Sequence, residues 1–130
     1  MIVVDTSALM AVVLNEPDAQ RISEELENAD DIAISAATMA ECLIVAAMRN
    51  VGSEMQRLID ELGFEIASVT PAAAQRAARA YERWGKGVHP AGLNFGDCFA
   101  YALAEERACP LLYVGDDFSR TDMVSASCRL

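Results

Sequence analysis

At 130 residues the chain matches the common size of one domain, which buries roughly two thirds of its unfolded surface, and one domain over 1–130 is expected. Hydrophobic residues make up 53% and charged ones 23%, so apolar burial can offset chain entropy and a disordered tract is excluded. The formal net charge of −10 argues against a nucleic-acid partner unless acids hold a cation that inverts the local sign.

Met1 to Val4 is a short β-branched run ending at Asp5, and DTSALMAVVLNE then shows helical spacing after the hydroxyls of Thr6 and Ser7, which reads as strand, cap and helix. No basic stretch precedes this apolar start, so it does not read as a signal peptide, and a cytoplasmic location is expected. A second helix is predicted from Pro17 to about Asn28, with Ile22 and Leu26 four apart. DIAIS reads as a strand, and ATMAECLIVAAMRN as a helix that is apolar on nearly every side yet carries Glu41. Its apolar run from Cys42 to Met48 is far shorter than the roughly 20 residues that cross a bilayer.

SEMQRLIDELG predicts an amphipathic helix capped at Gly63, followed by the strand-like FEIASV. Thr70 and Pro71 open the helix TPAAAQRAARAYERWG, which stops at Gly85. KGVHPAGLN is a loop, FGDCFAYALAEERA a helix with Asp97 in its first turn, and PLLYVG a buried strand that ends at Asp116 and Asp117. Strands alternating with helices, several of them continuously apolar, predict an α/β fold: a three-layer α/β/α sandwich on a mainly parallel sheet.

In such a sheet ligands collect beyond the carboxyl ends of the strands, where Asp5 and Asp116–Asp117 fall. Glu41 and Asp97 lie in apolar helical surroundings, where an ionised carboxylate is costly unless paired, hydrogen-bonded or bound to metal. Each acid has a structural alternative. Asp5 can cap a helix, Asp97 can favour a helix dipole, and Asp116 or Asp117 can be an ordinary loop residue. Glu41 has no basic residue within one turn, so a helical salt bridge is unavailable to it. Grouped carboxylates repel unless a cation neutralises them, and oxygen ligands suit Mg²⁺ or Mn²⁺. Cys42, Cys98, Cys109 and Cys128 form no CxxC pair and His89 is the lone histidine, so zinc spacing is absent and reduced packing thiols are expected.

The segments IVVDTSAL, MAECLIVA, LNFGDCFAYALA and LLYVGDDFSRTDM, in this order over the whole chain, resemble the PIN domains, and specifically the VapC-type toxins of bacterial toxin–antitoxin pairs. The resemblance implies a metal-dependent endoribonuclease that inhibits translation and growth. Its Mg²⁺ or Mn²⁺ would be held by Asp5, Glu41, Asp97 and Asp117, with Asp116 second and Asp122 third as the last ligand. Thr6 would orient Asp5 or a bound phosphate. One or two ions would polarise the scissile phosphate and activate water for in-line displacement, with no protein nucleophile.

The resemblance also implies an RNA substrate such as tRNA or rRNA, a VapB-type antitoxin, a homodimer and no membrane. Partners would cover part of the helix with Met39, Leu43, Ile44 and Met48, or the residues Leu9, Met10 and Val13, for which core packing is the alternative. Arg76, Arg79, Arg83 and Lys86 form a basic stripe that is either a solvated face or a phosphate contact. Two rival classes are an inactive PIN-like binding module and an aspartate phosphoacceptor domain. The second needs a lysine after a strand, whereas Lys86, the only lysine, falls in a Gly-rich loop.

Overall fold

The computed structural model of the chain describes residues 1–127, and Cys128 lies outside them. Four strands, β1 (Ile2–Val4), β2 (Ile32–Ser35), β3 (Glu65–Ala67) and β4 (Leu111–Leu112), form a sheet in the order β3-β2-β1-β4. All pairs are parallel, with Ile2 opposite Ile32, Val3 opposite Leu111 and Ala33 opposite Glu65. The helices are α1 (Thr6–Val13), α2 (Ala19–Asn28), α3 (Ala36–Met48), α4 (Gly52–Leu62), α5 (Pro71–Trp84) and α6 (Phe95–Arg107), and a single 3-10 turn covers Phe118–Arg120.

Alternation along the strands divides the core in two. Val3, Ala33 and Leu111 pack with α5 and α6 on one face, while Val4, Ile34 and Leu112 pack with α1 to α4 on the other. This is the three-layer α/β/α sandwich. Because β1, β2 and β3 progress in one direction and β4 returns to the far side of β1, the chain reverses its winding between β1 and β4. That reversal opens a crevice at their carboxyl ends, where open α/β sheets place ligands.

Local chemistry accounts for the element ends. Thr70 caps α5 by accepting from the Ala73 N–H at 3.1 Å, and Gly63 closes α4 at φ 60°, a conformation that a side chain would strain. Several boundaries are shorter than the sequence expectation, α1 ending at Val13 and β3 covering only Glu65–Ala67, and two have a visible cause. The second helix begins at Ala19 and not Pro17, because Pro17 occupies a turn closed by the Ala19 N–H donating to the Glu16 carbonyl at 2.9 Å. The last strand pairs only at Leu111–Leu112, because the Val114 N–H turns away to the Ser7 hydroxyl at 3.0 Å.

The expected partner face divides as well. Leu9 and Met10 are buried in the core and Val13 is half-buried, whereas Ile44 and Met48 on α3 are 61% and 77% exposed. Cys42 and Cys98 are buried and Cys109 half-buried, all as free thiols. No helix among the described residues is long and apolar enough to cross a membrane. Since Leu9 is fully enclosed, Leu9→Ala should leave a cavity and cost about 2–5 kcal/mol, read as a lowered denaturation midpoint. A near-neutral result would assign Leu9 to a surface.

Candidate active site

The crevice is built from the first turns of α1 and α6, the middle of α3 and the chain leaving β4. Asp5 follows β1 directly and is 3% exposed. Its N–H donates to the Leu112 carbonyl at 3.0 Å, which ties it to β4. Its Oδ2 caps α1, accepting from the Ser7 N–H at 3.0 Å and the Ser7 hydroxyl at 2.6 Å. Oδ1 is buried and has no hydrogen-bond partner among the described residues. Burial pushes the Asp5 carboxyl up from its ordinary range, Ser7 pulls it down, and the charge of Glu41 pushes it up again.

Glu41 comes from the middle of α3 and is half-buried. The Thr6 hydroxyl donates to its Oε1, so the residue after Asp5 orients a carboxylate from another helix of the same layer. The other side of this carboxylate lies against Gly96 in the first turn of α6. Cys42, the next residue on α3, is fully buried. Burial, opposed by Thr6 and aided by Asp5 and Glu41, pushes its thiol up to about 12.

Asp97 closes a reciprocal cap on α6. The Asp97 N–H donates to Asn94 Oδ1 at 2.9 Å, and the Asn94 N–H donates to Asp97 Oδ2 at 3.0 Å. Its second oxygen takes no part in the cap. Desolvation, opposed by the Asn94 N–H and aided by the charges of Asp5, Asp117 and Glu41, raises its carboxyl to about 7. Asp97 thus feels the charge of the other three carboxylates.

Asp117 is exposed at the mouth, one residue before the 3-10 turn. Its charge is among the largest acting on Asp97. Asp122 is engaged elsewhere, accepting from the Tyr101 hydroxyl at 2.5 Å and pairing with Arg83 at 3.5 Å. Within the basic stripe Arg76 pairs with Glu106 at 3.1 Å, and Arg83 also covers the Trp84 ring at 4.6 Å. Arg79 and Lys86 are exposed and form no ion pair among the described residues.

Among the described residues no three Asp, Glu, His or Cys side chains come together as a metal-binding set. The chemistry of the crevice nonetheless suits a hard divalent cation: oxygen donors only, and one buried carboxylate oxygen without a partner. Sequence reasoning read Ser7 only as a helix-start hydroxyl and Cys42 only as a packing thiol, and passed over Asn94 and Gly96. Of these, Asn94 carried a readable signal, an N-cap residue three before an acid.

A sign follows for the metal-free protein. Since the folded state holds the Asp97 proton up to about 7, against an ordinary 3.8, its stabilising effect is complete below 3.8 and is lost as pH rises through 7. Asp97→Asn should remove that loss, so in chelator the variant's melting temperature should gain on wild type between pH 5 and pH 8. A constant difference would mean the carboxyl is not raised.

A family model described as the PIN domain matches residues 2–123. The ribonuclease VapC28 of Mycobacterium tuberculosis is 43% identical over 128 residues, covering 95% of this chain and 96% of that protein. The crystal structure of Mycobacterium tuberculosis VapC20, described as a sarcin-ricin loop cleaving toxin, aligns with a TM-score of 0.78 at 15% identity, covering 95% and 97% of the two chains. A toxin–antitoxin complex from Klebsiella pneumoniae aligns at 0.74 and 18%, over 100% of both chains. With the model spanning nearly the whole chain and a relative this close, the chain belongs to the PIN domain family.

Proposed function

We propose that this chain is the ribonuclease toxin of a VapBC-type toxin–antitoxin pair, a single PIN-like unit that hydrolyses RNA at the acid cluster, with Asp5, Glu41, Asp97 and Asp117 holding Mg²⁺ or Mn²⁺. The observation that carries the reading is the buried, unpartnered Oδ1 of Asp5 beside an Asp97 whose carboxyl is pushed up to about 7. An uncompensated acid pair of this kind is costly in a structure with no cation to bind. A divalent ion, when bound, supplies neutralisation, polarises the scissile phosphate and lowers the pKa of water.

The chain's own residues do the positioning. Ser7 fixes Asp5, Thr6 fixes Glu41, and the Asn94 cap fixes Asp97, so each leaves an oxygen toward the crevice without a rotamer search. Asp117 at the mouth is the fourth acid, ahead of Asp116. No cysteine, serine or histidine there is free to serve as nucleophile. The Cys42 thiol is held neutral, Ser7 is engaged twice, and His89 Nδ1 accepts from the Ala91 N–H at 3.0 Å. On this reading water is the attacking group, with Glu41 or Asp117 placed to orient it.

The family's metal dependence and the relative's ribonuclease activity agree with this reading, and the toxin–antitoxin complexes of the same fold support a VapB-type antitoxin as partner. Ile44 and Met48 are the exposed part of α3 open to an antitoxin or a second copy, and tRNA or rRNA is the proposed substrate in the cytoplasm. An inactive binding module is the weaker reading, since all four acids are present. The phosphoacceptor reading fails because Lys86 is exposed in the loop between α5 and α6.

Two outcomes test the proposal. Asp97→Asn should abolish cleavage of total RNA and growth arrest while folding normally, and should melt with a smaller Mn²⁺-induced rise than wild type, because the charge a hard cation needs is gone. Wild-type products should carry 5′-phosphate and 3′-hydroxyl ends and vanish in excess EDTA; cyclic phosphates, or cleavage by Asp97→Asn, would sink the reading. For RNA binding, Arg79→Glu and Lys86→Glu should each flatten the log K against log salt slope by about 0.7. Arg76 and Arg83, already neutralised by acids, should matter less; equal slopes throughout would make α5 a solvated face.

A further inference from the structure

We infer that Gly96 is a positioning residue of the acid cluster: by carrying no side chain it lets the Glu41 carboxylate lie against the first turn of α6, one residue from Asp97. The inference rests on the reading of these acids as the site of RNA cleavage, and it assigns a requirement to a position with no charge of its own.

The geometry is specific. A Cβ at position 96 would stand 2.2 Å from Glu41 Oε2, 2.7 Å from its Cδ and 2.8 Å from Oε1, all distances at which something must move. The backbone gives no reason for glycine, since residue 96 lies inside α6 and is not among the positive-φ glycines. An alanine would suit a helical position better. What would yield is the end of the Glu41 side chain, but Thr6 donates to Oε1 and holds it where it is. A larger residue at 96 would therefore drive the carboxylate off Thr6 and away from Asp97 while the helix remains.

This separates stability from activity. Gly96→Ala should melt at or above the wild-type temperature, yet cleave RNA with kcat at least tenfold lower at saturating Mn²⁺. The conservative partner supplies the second readout. Glu41→Asp, which withdraws the carboxylate by one methylene, should lower cleavage in the wild-type background but raise it in Gly96→Ala, where the shorter side chain clears the new methyl.

Gly96→Ala cleaving within twofold of wild type would overturn the inference, as would Glu41→Asp lowering cleavage by the same factor in both backgrounds. If Gly96→Ala instead melts low, Glu41→Ala added to it should restore the melting temperature, and no restoration would overturn the inference too. Asp97→Asn is the control. Cleavage by that variant would fail the ribonuclease site itself, whereas an inactive Asp97→Asn beside a fully active Gly96→Ala would fail only the role of Gly96.

Discussion

The constraint on which the structure turns is the carboxylate of Asp5, almost wholly removed from water at the end of the central strand. One of its oxygens is satisfied by Ser7 and the other has no hydrogen-bond partner among the described residues. Burying an ionised group is costly without a partner, and the surroundings deepen the problem, because Glu41 and Asp97 bring like charge to the same crevice. Ser7 answers part of it, bonding Asp5 and receiving the Val114 N–H, so the acid, the first helix and the chain leaving β4 are fixed by one hydroxyl.

The structural and functional readings of the acids are therefore not rivals. Asp5 is the N-cap of α1, and Asp97 closes the capping box of α6. Each cap uses one carboxylate oxygen and leaves the second outside the cap. A cap freezes the side chain's rotamer and stabilises the helix by about 1 kcal/mol, so the hydrogen bond that supports the fold also aims the second oxygen. Glu41 has no such cap, being in mid-helix, and takes its orientation from Thr6 on a different element.

Much of this was legible in the sequence. The order of strands and helices, the parallel sheet and the crevice acids follow from periodicity and from where each acid stands relative to its element. Thr70–Pro71 and Gly63 mark helix ends by backbone rules alone. What was illegible depends on contacts between distant elements. Nothing local says that Val114 will leave the sheet for Ser7, that Thr6 will reach across 35 positions to Glu41, or that a glycine in α6 faces that same carboxylate. The basic stripe shows the same limit, since helical spacing aligned Arg76 and Arg83 but could not reveal that Glu106 and Asp122 would neutralise them.

Those pairings bear on how an acidic chain meets a polyanion. Twenty acids face ten basic residues, so the global field repels RNA and long-range steering cannot favour encounter. Two members of the one basic stripe are already committed to acids, leaving Arg79 and Lys86 as its open charges. On the proposed reading, attraction at short range then has to come from the cation in the carboxylate crevice, the largest local charge there. Metal binding and substrate binding are in that case one linked equilibrium, in which the acids that repel RNA in the metal-free protein are the groups through which the loaded protein holds it.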